Sequence, residues 1–204
     1  MKYLIPFILS LLIFLAACSH KATPQEYVHY IEKNGNGLLV KQNYNGVDYS
    51  LQYQPADYCV MMEKRSFNIE EETFAILKKR FSGLEHYLLR INRTDMDNLV
   101  NKLGDSSRYK KSIATYLDFD IQKDIKLLAG KDTIPCSICV PDANSGITQY
   151  YTYSLGFSKV IESASGEKED RIILYKNKIL NTGTVMLNVK YQDIEKIPAL
   201  KNDM

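Results

Sequence analysis

Residues 38–53, LLVKQNYNGVDYSLQY, contain two alternating segments that flank the dipeptide Asn45-Gly46. Asn-Gly is a favoured pair for a two-residue type I′ turn, whose twist matches that of antiparallel strands. A turn here pairs Tyr44 with Val47, and a slip by one residue would exchange the two faces. The sequence therefore predicts a single hairpin, one face of which carries Leu38, Val40, Gln42, Tyr44, Val47, Tyr49, Leu51 and Tyr53.

Short helices are predicted on either side of this hairpin. Thr23-Pro24-Gln25-Glu26 has the residues of a capping box with proline in the first turn, which predicts a helix to about Lys33. Two further helices are predicted, one over residues 56–65 and one that begins at an Asn68 N-cap and stops before Gly83.

From Ala114 onward the apolar residues recur with a period of two, which is typical of strands. The spacing is typical of an antiparallel sandwich or barrel-like sheet. Strands are predicted over residues 84–93, 114–121, 124–128, 134–140, 149–157, 171–175 and 184–191. The prediction is an α+β fold, with a β-hairpin and short helices followed by a sandwich-like, mostly antiparallel C-terminal half. Residues 24–204 are predicted as one domain, with a subdomain boundary near residue 104 as the alternative.

The N-terminal residues carry a different signal. Lys2 precedes an almost unbroken apolar run over residues 4–15, and small residues follow. This is the order of a secretory signal peptide, and the run is too short to cross a hydrocarbon core of ~30 Å as a stable helix. It ends in Leu15-Ala16-Ala17-Cys18, which resembles the lipobox of bacterial lipoproteins. The resemblance makes residues 1–17 the signal peptide and residues 18–23 the lipidated cysteine and a short tether.

The resemblance also implies an anchoring chemistry and a location. The Cys18 thiol would receive a diacylglycerol and its freed amine an acyl chain, and two or three chains make a lasting anchor. No other cofactor is expected. An aspartate after the cysteine retains lipoproteins in the inner membrane of well-studied Gram-negative bacteria, so Ser19 favours the outer membrane. The folded domain has the character of uncharacterised Gram-negative envelope lipoproteins, facing the periplasm or the cell surface.

The charge of the chain argues against one class of partner. Removing residues 1–17, which contain one lysine, lowers the formal net charge from +2 to +1. A chain this close to neutral lacks the basic footprint of a nucleic-acid-binding protein. The expected partners are the membrane, through the anchor, and a protein or cell-wall component.

Cys136-Ser137-Ile138-Cys139 is a CxxC motif that can carry thiol–disulfide chemistry in an exported protein. That chemistry favours a helix N-terminus, whereas Ile134 and Val140 indicate a strand. On a regular strand, residues three apart point to opposite faces and cannot bridge each other. We therefore interpret Cys59, Cys136 and Cys139 as buried thiols, with a bridge from Cys59 to one of the later two as the alternative.

Catalytic and metal sites have little support in the sequence. The three histidines lack zinc-site spacing, and no serine lies in a Gly-x-Ser-x-Gly context. Asp118 and Asp120 are interpreted as the solvent face of a strand rather than as calcium ligands. Tyr151 and Tyr153 alternate along a strand as a buried face, with a ligand-stacking surface as the alternative.

Three functional hypotheses follow. The first is a non-enzymatic, membrane-anchored binding or structural module of the cell envelope, held by Cys18. The second is a carbohydrate-binding or small-ligand-binding protein that uses Tyr151 and Tyr153. The third is a thiol-redox protein that uses Cys136 and Cys139.

Overall fold

A computed structural model describes the chain over residues 21–95, 97–98, 107–142, 149–159, 169–177 and 183–201. The strands in these ranges are β1 (Leu39–Tyr44), β2 (Val47–Gln54), β3 (Leu84–Asn92), β4 (Ile125–Ala129), β5 (Asp132–Pro141), β6 (Tyr150–Ser158), β7 (Arg171–Asn177) and β8 (Gly183–Val189). They form one sheet in the order β1-β2-β3-β6-β5-β4-β7-β8, and every neighbouring pair is antiparallel.

The chain also forms the helices α1 (Pro24–Glu32), α2 (Ala56–Lys64), α3 (Glu71–Phe81), α4 (Ser107–Thr115), a π-helix (Tyr116–Asp120), a 3₁₀-helix (Ile121–Asp124) and α5 (Tyr191–Glu195). The capping box predicted at Thr23 is confirmed, because its backbone N–H donates to Glu26 Oε2 over 2.9 Å and its side chain accepts from Glu26 N. The N-cap predicted at Asn68 is wrong. The Asn68 N–H bonds to the Ser66 hydroxyl over 3.1 Å, and Glu70 occupies the N-cap position of α3 without a capping hydrogen bond from its side chain. None of the described helices is long and apolar enough to cross a membrane.

The hairpin of β1 and β2 has the predicted register. Val40 pairs with Leu51, and Tyr44 pairs with Val47. The turn residues Asn45-Gly46 have φ angles of 52° and 82°, as a type I′ turn requires. Turn chemistry and alternation were therefore sufficient to predict both faces of this unit.

The sheet curls until its two end strands meet. The Tyr44 hydroxyl, at the end of β1, donates to Met186 O over 2.7 Å and accepts from Met186 N over 3.1 Å, which bridges β1 to β8. The α+β class is confirmed. The sandwich-like arrangement is replaced by one nearly barrel-shaped sheet, because eight twisted strands can bury their inner face by curling, without a second layer.

Residues 114–121, predicted as a strand, are helical, so that prediction is wrong. Tyr116, Leu117 and Ile121 are buried, whereas Phe119 is 76% exposed. Leu117 and Ile121 are four residues apart. That separation puts two side chains on the same face of a strand, and it also puts them on the same face of a helix. The short apolar pattern fitted both periods, and the helical one packs against the sheet.

The two ends of the sheet are filled differently. At the end with the hairpin turn, α4, the π-helix and the 3₁₀-helix form a plug (residues 107–124) that packs against the inner face. The Tyr116 hydroxyl lies 3.5 Å from that of Tyr175, and the Tyr153 hydroxyl donates to Leu117 O over 3.1 Å. At the opposite end, called the mouth, β2 and β6 end while β3 and β7 begin.

Candidate functional site

Two side chains of opposite charge lie inside the mouth. Glu85 on β3 and Arg171 on β7 expose only 10% and 8% of their side-chain surfaces. Arg171 Nε lies 3.2 Å and 3.1 Å from the two carboxylate oxygens of Glu85, and Nη1 donates to Glu169 O over 2.6 Å. Three strands separate β3 from β7 in the sheet, so this ion pair spans the interior rather than joining neighbours.

A tyrosine holds the carboxylate of this pair in place. The Tyr87 hydroxyl donates to Glu85 Oε2 over 2.9 Å, and its ring makes edge-to-face contacts with Tyr53 and Phe157 at centroid distances of 5.4 Å and 5.8 Å. Burial, reinforced by the negative charge of Glu85, raises the pKa of Tyr53 to about 12 and that of Tyr87 well above its ordinary value. Both hydroxyls therefore stay protonated and able to donate hydrogen bonds.

A cavity of about 270 Å³ opens beside the ion pair and is called the mouth cavity. Small-molecule sites commonly begin at about 300 Å³, so this volume suits a ligand of roughly one ring. The Arg171 guanidinium lies 5.6 Å from the centre of the Tyr191 ring, which places Tyr191 over the ion pair. The polar and aromatic lining residues are Tyr53, Gln54, Ser82, Glu85, His86, Lys159, Arg171 and Tyr191.

His86 lines the same cavity from β3. Its Nε2 lies 2.9 Å from Phe81 O, and the two rings meet edge to face at 5.4 Å. Burial lowers the pKa of His86 below its ordinary value, and the bond to the Phe81 carbonyl opposes that shift in part. The neutral ring satisfies this geometry as the tautomer that donates Nε2–H to the carbonyl.

The ion pair favours binding of a polar, uncharged group, and exposed Lys159 adds one cation to the rim of the cavity. The carboxylate and guanidinium neutralise one another, so the mouth cavity offers hydrogen-bond acceptors and donors with little net field from the pair. Tyrosine rings supply apolar walls with hydroxyl groups at their edges. This is the chemistry that recognises hydroxyl groups on a compact ring.

A second, larger cavity of about 390 Å³ lies outside the sheet, against the hairpin. It is lined largely by exposed side chains, two of which, Asn43 and Asp48, bond each other over 2.7 Å. Its lining residues are Lys41, Gln42, Asn43, Asp48, Tyr49, Ser50 and Tyr150. The mouth is the stronger candidate, because its charged groups are buried and held in fixed positions.

Cys136 and Cys139 lie on the same face of β5, so the prediction that they point to opposite faces is wrong. Cys136 pairs with Phe157 and Cys139 pairs with Leu155, which are both inward-facing. The pairing of β5 with β6 shifts between Cys136 and Ile138, which is a β-bulge. Its one extra residue brings the Cys139 side chain to the same face of the strand as Cys136. Both cysteines are free; Cys136 is buried and Cys139 is half-buried.

Cys59 lies apart from this pair, on α2. It is a buried free thiol whose Sγ lies 3.6 Å from Gln54 O. Burial raises the pKa of Cys59 to about 12. The alternative bridge between Cys59 and a later cysteine is absent from the described structure.

The two tyrosines of the alternative ligand face are in different environments. Tyr153 is 2% exposed and lies in the core, where its hydroxyl bonds the plug. Tyr151 is half-buried; its hydroxyl donates to Asp97 over 3.1 Å, and the Arg93 guanidinium lies 4.4 Å from its ring centre. Tyr153 cannot stack on a ligand from that position, and Arg93 already covers Tyr151.

Other predicted sites are either outside the described residues or dispersed. Cys18 and the rest of the lipobox lie outside them. Within the ranges that the structure describes, no group of three or more His, Cys, Asp or Glu side chains could hold a metal ion. Asp120 bonds Lys123 on the next helical turn over 2.5 Å, and Asp118 is exposed.

The sequence reasoning missed Glu85 and Arg171, which are 86 positions apart. A signal did exist. Glu85 alternates with Tyr87, and Arg171 alternates with Ile173, so each charge stands on the inward face of its strand. An isolated charge on a buried face needs a partner, but one strand alone cannot say which strand supplies it.

Comparison with known proteins adds little to this site. No family model matches the chain, and no curated protein matches it. A crystal structure of a novel protein of unknown function from Burkholderia pseudomallei K96243 is similar over 83% of this chain and 86% of that chain. The sequence identity is 10% and the TM-score is 0.41.

Proposed function

We propose that this chain is a lipid-anchored envelope protein whose domain binds a small hydroxyl-bearing ligand, about one sugar ring in size, in the mouth cavity. It acts as a binding module and not as an enzyme. The observation that carries the proposal is the buried Glu85–Arg171 pair beside a cavity of about 270 Å³. A carbohydrate of the cell wall presents the donors and acceptors that such a pair can meet.

The sequence Leu15-Ala16-Ala17-Cys18 supports the anchor. The folded domain begins close behind it, since Ala22 N donates to Ala199 O over 2.8 Å and Ala22 O accepts from Lys201 N over 2.8 Å. Four residues of extended chain span at most ~14 Å, so acylation of Cys18 would hold the domain against the membrane surface. Outer-membrane placement follows only from Ser19.

The tether joins the domain near the mouth. Tyr191 and Ile194 of α5 line the mouth cavity, and the chain then runs to Leu200, which forms a parallel bridge with Ala22. The anchor and the cavity are thus joined through a few residues. A ligand held there would lie close to the membrane that bears the protein.

The anchor is tested by Cys18→Ala, with Cys59→Ala as the matched control that removes a buried thiol. We expect labelled palmitate to enter the wild-type protein and Cys59→Ala, but not Cys18→Ala. We also expect alkaline carbonate to release Cys18→Ala from membranes. A Cys18→Ala protein that remained fully membrane-bound after the wash would disprove the anchor.

The cavity is tested by calorimetric titration of the full-length protein in detergent with soluble glycan fragments of the cell wall. Tyr191→Ala removes a wall of the mouth cavity, and Tyr150→Ala is the matched control in the outer cavity. We expect at least a roughly tenfold weaker affinity for Tyr191→Ala, about 1.4 kcal/mol, and no change for Tyr150→Ala. The opposite pattern would assign the ligand to the outer cavity, and no heat with any fragment would reject a glycan.

A further inference from the structure

The CxxC motif of β5 has an unusual setting. The β-bulge at Ser137 brings Cys136 and Cys139 to the inner face, opposite Phe157 and Leu155. A regular strand would have separated the two thiols by the thickness of the sheet. Here the extra residue in the ladder removes the obstacle to a bridge between residues three apart.

The Cys136 thiol also lies against the backbone that leads to Cys139. Cys136 Sγ lies 2.9 Å from Ile138 O, the carbonyl of the peptide bond that leads into Cys139. Interaction with Cys139 lowers the pKa of Cys136 below its ordinary value, and interaction with Cys136, together with burial, raises the pKa of Cys139. Cys136 is therefore the member of the pair that forms a thiolate more readily.

We propose that Cys136 and Cys139 are a redox-active pair that closes reversibly into an intrachain disulfide across the bulge. The oxidant is a small external disulfide. One thiolate of the pair attacks it, forms a mixed disulfide and releases the first external thiolate. The second cysteine then loses its proton, attacks the protein sulfur of the mixed disulfide and releases the second external thiol, so the pair loses two electrons and two protons in total.

The surroundings permit this exchange and give it a consequence. Cys139 is half-buried and Cys136 is buried, so Cys139 is the more exposed member of the pair. Gln122 Nε2, in the plug, donates to Cys136 O over 3.0 Å. Closure of the disulfide would fix the backbone at the bulge. It would thereby also fix the Cys136 carbonyl, which accepts the hydrogen bond from the 3₁₀-helix of the plug.

The test is a thiol count on the full-length protein in detergent, equilibrated with either dithiothreitol or glutathione disulfide and then alkylated under denaturing conditions. With dithiothreitol, we expect Cys59, Cys136 and Cys139 all to be alkylated. With glutathione disulfide, we expect only Cys59 to be alkylated, and a Cys136–Cys139 peptide that is lighter by two hydrogen atoms. Dithiothreitol added afterwards must restore both thiols.

Three unmodified, alkylatable thiols after oxidation would overturn the proposal, and so would a bridge that includes Cys59. Because this measurement uses the wild-type chain, it does not depend on whether a variant folds. Cys59→Ser is the matched control and should still lose two thiols on oxidation. Cys136→Ser and Cys139→Ser should each form a mixed disulfide with glutathione and no intrachain bridge.

Discussion

The plug and the mouth close the two ends of the same sheet with different chemistry. At the plug, the Tyr153 hydroxyl bonds Leu117 O and the Tyr116 hydroxyl bonds Asp124 Oδ2 over 2.9 Å. At the mouth, Glu85 and Arg171 form a buried ion pair beside open space. At the plug end the inner face is covered by packed side chains of the plug, whereas the mouth retains a buried ion pair beside a cavity.

The difference favours the mouth as the end that carries the proposed binding function. Neutral tyrosines that bond carbonyl and carboxylate groups fill an end of a sheet at small energetic cost. A buried ion pair is often no more stabilising than apolar residues of similar volume, so its presence needs another reason. The binding proposed for the mouth cavity would supply that reason.

The largest expected effect comes from breaking the ion pair on one side. Arg171→Met leaves the Glu85 carboxylate buried without its partner, and we expect the free energy of unfolding to fall by about 3–5 kcal/mol. Urea denaturation of the full-length protein in detergent measures this loss.

The matched control is the double variant Arg171→Met with Glu85→Met. It removes both charges, so we expect it to recover most of the lost stability. If the double variant were as unstable as Arg171→Met alone, the loss would come from packing and not from an unpaired charge. The mouth would then resemble the plug.

A smaller effect is expected at the plug. Tyr153→Phe keeps the ring but leaves Leu117 O without its donor, and we expect a loss of about 1–3 kcal/mol in the same denaturation experiment. Tyr151→Phe is the control, because its hydroxyl bonds the exposed Asp97 and should contribute less than Tyr153. Glycan binding at the mouth should be unchanged in both variants.

The sequence predicted the parts of the fold that local chemistry determines. The hairpin followed from Asn45-Gly46 and the alternation on either side, and the first helix followed from its capping box. Residues 114–121 defeated the same reasoning, because a short apolar pattern there fitted both a strand and a helix. Tertiary packing against the sheet decided between them.

The candidate sites were harder to predict because both depend on non-local geometry. A single bulge moved Cys139 to the face of Cys136, and a bulge at Ser137 leaves no mark in the hydrophobic pattern. Predicting the Glu85–Arg171 pair requires the order of the strands in the sheet. The sequence does not reveal that order for two residues that are 86 positions apart. Sequence alone could flag each charge on a buried face, but not its partner.

The smallest expected effect is the contribution of His86, at the mouth, to the pH dependence of stability. Burial lowers the pKa of His86, at the mouth, below its unfolded value of about 6.5, so the unfolded chain takes up the proton first as the pH falls. His86 therefore contributes stability above that pH and loses it below. Between about pH 7.5 and pH 5.5, wild-type protein should lose more unfolding free energy than His86→Gln. Identical pH dependence in wild type and His86→Gln would mean that His86 gains a proton as easily in the mouth as in water.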